Sequence, residues 1–220
     1  MFKLRTRTRL RTAGTLAIVG VMAASQVAAT LVARAQEPNS AAPEVERIVK
    51  ALGGMPEGKT RGFSPSKAPL SAKHRAVIDA VKKGKTRGLS IGWVNDLAEA
   101  TATLPSIDLE VYFDFNSDEV NASSQETVNA LGQALTNPSL SGSTFLVGGH
   151  TDAKGGDDYN QSLSERRAAA VRRLLIQRYH LSDSRLIAVG YGEKQLDNSS
   201  LPDADENRRV QIVNLGDSAE

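Results

Sequence analysis

Between residues 144 and 179 the chain changes its hydrophobic period once, and that change limits the folds open to it. TFLVGG (144–149) is a short continuous apolar run, the pattern of a buried strand. A glycine-rich loop follows. From about Gln161 to Tyr179 the residues Leu163, Val171, Leu174 and Leu175 then recur at helical spacing, with Ala168 and Ala170 as small packing positions. Ser162 and Glu165 have capping-box spacing at the start of that helix. A strand that feeds a helix through a short loop is the repeating piece of an α/β architecture.

The flanking segments extend the same grammar. IDLEVYFDF (107–115) alternates, with Ile107, Leu109, Val111 and Phe113 on one face, and predicts a strand. Ser123 and Glu126 have capping-box spacing, Val128, Leu131 and Leu135 repeat as a helix, and Asn137-Pro138 ends it. LIAVGYG (186–192) and RRVQIVNL (208–215) read as two further strands. The order β-α-β-α-β-β predicts an α/β fold, an α+β sandwich with one mixed four-stranded sheet and helices packed on one face, over residues 106–220.

Upstream the texture differs. Six cations (Lys3, Arg5, Arg7, Arg9, Arg11, Arg34) and no acid occupy residues 1–35, around an apolar run from Ala13 to Val32 that ends in Ala33-Arg34-Ala35. This is the pattern of a cleaved secretory signal peptide; the competing reading is a retained membrane anchor over residues 13–33. No cysteine follows it, which argues against a lipoprotein, and the chain has no cysteine for disulfides, thiolate metal sites or nucleophilic catalysis. Residues 36–105 read as a basic, partly disordered linker with short helices, one of them capped by Ser71 and running to about Lys83. The linker carries two near-copies, KTRGFS (59–64) and KTRGLS (85–90). They read either as a docking element for an anionic surface or as solvated linker.

The overall charge of +2 conceals a segregation. Residues 36–105 hold 11 cations and 7 acids, a net +4, and residues 106–220 hold 10 cations and 18 acids, a net −8. An acidic folded half argues against nucleic acid as a partner.

The chemistry concentrates in GGHTDAKGGDDYNQSLSERRA (148–168). Asp152 sits just past the strand and Arg167 one to two turns into the helix, so a βα connection brings both to the strand end where ligands bind α/β sheets. A carboxylate facing a guanidinium, beside a helix N-terminus, suits a zwitterion: ammonium on Asp152, carboxylate on Arg167. The alternative is that each pairs with neighbours. Asp152-x-Lys154-x-Gly156 fails as a calcium loop because Lys154 takes the third ligand position and Leu163 the twelfth. His150 reads as a strand-end histidine with one hydrogen bond. No metal site, cofactor site, catalytic triad or paired-carboxylate arrangement is readable, so the expectation is a binding module rather than an enzyme.

YFDFNSDEV, GHTDAKGGDDYNQSLSERRAAAVRRLL, LIAVGYGE and NRRVQI, in this order over residues 107–215, resemble the successive motifs of the OmpA-like C-terminal domain. That family includes the peptidoglycan-associated lipoprotein and the periplasmic domain of the flagellar stator subunit. The resemblance implies non-covalent binding of peptidoglycan through the diaminopimelate of its stem peptide, with Asp152 and Arg167 as the two grips. By the same mapping Asn160, Thr151 and Asp114 line the pocket. Arg208 and Arg209 close the domain, and which of them faces the ligand is open. Two departures touch the pocket rim: Ala153 stands where relatives carry Asn or Glu, and the segment from Glu193 to Asn207 is short, with Leu196 in place of a proline.

The expected setting is the periplasm, with peptidoglycan and other envelope proteins as partners and membrane contact through residues 13–33 if that segment is retained. Some 70 upstream residues are too few for an eight-stranded barrel, whose strands alone need roughly 80. The apolar span lacks the acidic residue that stator proton conduction needs. An inner-membrane-anchored adaptor using the same domain is the alternative, and an activity carried by residues 46–105 is a third reading.

Overall fold

A computed structural model of the chain describes residues 42–53, 70–84, 91–113 and 117–217, which belong to one compact unit. The basic and apolar N-terminal segment, both KTRG copies and Asp114 lie outside the described residues. Among the described residues five α-helices and four strands follow in order: α1 (Ala42–Gly53), α2 (Ala72–Lys82), α3 (Ile91–Thr101), β1 (Ser106–Leu109), α4 (Gln125–Leu135), β2 (Ser143–His150), α5 (Asp157–Tyr179), β3 (Leu186–Gly192) and β4 (Val210–Asp217). Among the described residues no helix is long and apolar enough to cross a membrane.

The sheet has the order β1-β4-β2-β3. β2 and β3 run parallel, joined through α5, while β4 inserts antiparallel between β1 and β2. All eight residues of β2 are buried, as the apolar run at 144–149 requires of a central strand.

Because side chains alternate across a strand, such a run is apolar on both faces and both must be covered. On one face Phe145, Val147, Ile107, Leu109, Leu186, Val210 and Ile212 meet α1, α4 and α5. On the other, Leu146, Val189, Tyr191, Val213 and Leu215 meet Ile78 and Val81 of α2 and Val94, Leu97 and Ala100 of α3. Within residues 106–220 both helices, α4 and α5, pack on one face as expected, and the opposite face is covered by helices from upstream of that span. The segment expected to be linker supplies this second cover: α2 begins at the Ser71 cap, whose Oγ accepts from His74 N–H at 3.1 Å, and α3 follows it. Its upstream neighbour α1 buries Ile48 and Leu52 completely in the first core. Side-chain bonds tie these helices to β4: Asn214 Nδ2 donates to the Leu52 carbonyl (2.9 Å) and Lys82 Nζ to the Asp217 carbonyl (2.6 Å).

Three element boundaries differ from those the sequence predicts. The first strand stops at Leu109; Val111 stays buried, but Phe113 makes only an isolated bridge to Val120. Here the Ser124 hydroxyl accepts from Tyr112 N–H (2.7 Å) and takes the chain out of the ladder. The turn before α4 is organised by Asn121, whose Oδ1 accepts from Ser124 N–H and the Ser123 hydroxyl, so Ser123 is not the cap of a box. α5 starts at Asp157, four residues before Gln161. Asp157 and Asp158 in its first turn complement the helix dipole, and the Ser162 hydroxyl accepts from Arg166 Nη1 (2.7 Å) instead of capping.

Candidate functional site

The earlier start of α5 puts Arg167 eleven residues into the helix, in its third turn, rather than one to two turns in. The dipole of the α5 N-terminus therefore acts on the loop of Asp152 and not on Arg167, since its effect fades within the first turn. What fixes Arg167 is how closely the helix lies on the sheet. A Cβ at Gly149 would stand 2.3 Å from the Ser164 carbonyl oxygen, and one at Gly190 2.4 Å from Ser164 Oγ. These two glycines let α5 rest directly on β2 and β3. The Ser164 hydroxyl then accepts from Gly192 N–H (2.9 Å) and donates to the Gln161 carbonyl (2.8 Å), which locks the helix one turn before Arg167.

The loop leaving β2 is laced to its neighbours through the main chain. His150 N–H donates to the Arg209 carbonyl, Thr151 N–H to the Gly192 carbonyl and Ala153 N–H to the Pro202 carbonyl, each at 3.0 Å. The 195–207 segment that forms the opposite bank is itself held by Asn207. This fully buried side chain donates from Nδ2 to the carbonyls of Leu201 (2.9 Å) and Pro202 (3.0 Å) and accepts from Asn198 N–H (2.8 Å). One asparagine thus organises this loop.

The two charged side chains have different surroundings. Asp152 is buried, and its Oδ2 accepts from Arg208 Nη1 at 2.7 Å, while Oδ1 accepts from Lys154 N–H at 3.3 Å. Arg208 bridges Asp152 to Asp205, with Nη2 at 2.6 Å from Asp205 Oδ1; burial opposes its charge, but the hydrogen bonds to the two carboxylates outweigh it and raise its pKa. Arg167 is 9% exposed. Its Nε donates to the Ser117 carbonyl at 3.3 Å, and its guanidinium carbon lies 4.8 Å from the centre of the Phe113 ring. Among the described residues it makes no ion pair. Burial lowers its pKa; Tyr159 and Asp152 act in the opposite sense, and the nearby Arg208 charge adds to the lowering.

The remaining expected residues divide. Arg208 faces Asp152, whereas Arg209 packs inward, with Nε on Asp108 Oδ1 (3.1 Å) and Nη1 on the Gln195 carbonyl (3.2 Å). Thr151 is buried beneath the loop, its hydroxyl without a partner among the described residues. Asn160 is buried and turned toward the loop, its Nδ2 within 3.3 Å of the Asp152 carbonyl, 3.1 Å of the Lys154 carbonyl and 2.5 Å of Glu193 Oε2. Gly149, Gly190, Ser164, Glu193 and Asn207 were not singled out by sequence reasoning. Only the glycines carried a signal, as interruptions in two strands.

His150 is the strand-end histidine the sequence suggests. Its Nδ1 lies 3.1 Å from the Gln195 carbonyl, so that nitrogen carries the proton, and its ring stacks on Tyr191 at 4.9 Å. Burial, helped by the nearby Arg209 charge, pushes its pKa down to about 3. The unfolded chain binds a proton near the ordinary value of about 6.5, so between those limits the unfolded state holds more protons and stability falls as the solution is acidified. Denaturant unfolding at pH 7.5 and pH 4.5 should show a loss from this group of about 2–3 kcal/mol. The His150→Phe variant, which keeps the stack, should lose that much less between the two pH values. An equal loss in both proteins would show that His150 takes up its proton without unfolding.

The OmpA family matches residues 112–209, the span that holds every residue of this site. The peptidoglycan-associated lipoprotein of Pseudomonas putida is 30% identical over 135 residues, which are 60% of this chain and 78% of that protein. The chain belongs to the OmpA family. Outer membrane porin F of Pseudomonas aeruginosa is 41% identical over 115 residues, 51% of this chain but 32% of that protein, so the chain spans about a third of the porin's length. Among solved structures, the peptidoglycan-associated lipoprotein from Burkholderia pseudomallei aligns with 31% identity and a TM-score of 0.40, covering 51% of this chain and 91% of that one. In OmpA-family terms, the described α1, α2 and α3 lie outside the matched span yet complete its core.

Proposed function

We propose that this domain binds cell-wall peptidoglycan non-covalently, by gripping the zwitterionic end of diaminopimelate in the stem peptide, and so ties its chain to the wall from the periplasmic side. The observation that carries the reading is Arg167, a buried guanidinium that makes no ion pair among the described residues and lies in the same electrostatic neighbourhood as Asp152. A desolvated cation is costly unless compensated, and a ligand carboxylate is the bidentate partner that arginine suits.

The geometry makes the two halves of the clamp unequal. Asp152 is already paired with Arg208, so a ligand ammonium joins an existing ion pair and shares its carboxylate. No carboxylate among the described residues pairs with Arg167, and the Phe113 ring lies against its guanidinium face. Affinity then rests more on Arg167, and Asp152 selects a ligand that carries an ammonium beside its carboxylate. The matched relatives named peptidoglycan-associated lipoproteins support the same ligand class.

Co-sedimentation of the purified chain with diaminopimelate-type sacculi tests the reading. Wild type should pellet, and Asp152→Ala, which loses one charged partner, should need about tenfold more sacculi for half-retention. Equal pelleting of the two proteins, or none by wild type, would overturn it.

A further inference from the structure

We propose that Glu193 is a positioning residue for the Asp152 half of this site, acting through Asn160. The inference rests on the binding role proposed for Asp152. Glu193 directly follows Gly192, whose φ of 55° lies in the left-handed region and whose N–H is held by Ser164 Oγ at 2.9 Å. The end of β3 is thereby clamped to α5, and the Glu193 side chain is delivered to Asn160 Nδ2 at 2.5 Å.

Three acceptors converge on that one nitrogen: the Glu193 carboxylate, the Lys154 carbonyl at 3.1 Å and the Asp152 carbonyl at 3.3 Å. An amide nitrogen has two N–H bonds, so the longest contacts share a proton. The surroundings also fix which way the amide points, because the opposite flip would turn its carbonyl oxygen toward three acceptors. The carboxylate contact is the shortest and is charge-assisted, which makes it the strongest of the three.

Asn160 is 1% exposed, so it has no water to replace a lost partner. Without the Glu193 carboxylate the amide is free to rotate, and residues 152–154 lose the side chain that holds two of their carbonyls. Lys194 and Asp157 form an ion pair beside Glu193, whose side chain also reaches Asp157, and among the described contacts neither side chain hydrogen-bonds Asn160. Arg167 is set independently, by Ser117, Phe113 and the close seat of α5. Glu193 should therefore couple to Asp152 and not to Arg167.

A double-mutant cycle reads this, with affinity for a diaminopimelate-containing tripeptide measured by calorimetry on the full chain. Glu193→Ala should weaken binding roughly tenfold. Glu193→Gln should recover to within about threefold of wild type, since its amide oxygen also accepts. Added to Asp152→Ala the Glu193→Ala change should cost nothing more, whereas added to Arg167→Ala it should cost its full tenfold. Wild-type affinity in Glu193→Ala, no rescue by glutamine, or an equal cost in both backgrounds would overturn the proposal. A wild type that ignores the tripeptide removes the ligand assignment instead. Amide exchange at Lys154, whose N–H reaches Asp152 Oδ1, then still decides whether Glu193 sets the loop, and unchanged exchange in Glu193→Ala would overturn the positioning role.

Discussion

Arg167→Ala is expected to weaken binding of a diaminopimelate-bearing stem peptide by about 10- to 150-fold, the loss of one charged hydrogen-bonding partner worth about 1.5–3 kcal/mol. Arg167→Lys should fall between, because an ammonium keeps the charge but cannot grip a carboxylate with a planar fork. The matching ligand change is a lysine-type stem peptide, which has the distal ammonium and lacks the distal carboxylate. Wild type should bind it about as weakly as Arg167→Ala binds the diaminopimelate form, and Arg167→Ala should not weaken it further. Titration calorimetry with the two peptides checks both arms, and thermal unfolding confirms that each variant is folded. If wild type fails to distinguish the peptides, Arg167 does not read a carboxylate, and its burial against Phe113 is structural.

The second large effect concerns stability. A fragment of residues 106–220, the span over which the family's motifs run, is expected not to fold on its own. Removing α1, α2 and α3 takes away Ile48, Leu52, Ile78, Val81, Val94 and Leu97 and uncovers Leu146, Val189, Tyr191, Val213 and Leu215. Each buried aliphatic side chain is worth about 1.5–3 kcal/mol, so the six together approach or exceed the roughly 5–15 kcal/mol that holds a typical domain. The uncovered face would also be an aggregation surface. Circular dichroism and denaturant unfolding of the fragment beside the whole chain check this. A cooperative transition at the same midpoint in the fragment would show that the three helices are spectators. In practical terms, binding measurements belong on the full chain.

The fold and the site were legible to different depths. β2 and α5 were readable because each obeys one period over its length, continuous apolar in Phe145–Val147 and helical in Leu163–Leu175. Asp152 and Arg167 could be placed toward one end of the sheet because the first leaves β2 and the second lies on the helix that packs back against it. The caps were misplaced because hydroxyl spacing alone does not say what a side chain does: the Ser123 hydroxyl donates to Asn121 Oδ1, which also accepts from Ser124 N–H, and Ser162 serves Arg166.

The amino-acid sequence by itself determined the β-α-β-α-β-β order, the central buried strand, and the placing of one carboxylate and one guanidinium at the strand end, since all of these follow from local periodicity. Tertiary structure alone decided that residues 42–101 cover the sheet, that Arg208 and not Arg209 turns to Asp152, and that Arg167 is left without an ion pair among the described residues. Those outcomes depend on which groups meet across the fold. Adjacent arginines differ by one step of alternation, so one faces the pocket and the next the core. A helix with a weak apolar stripe, such as α2, becomes part of a core only when a sheet face stands opposite it.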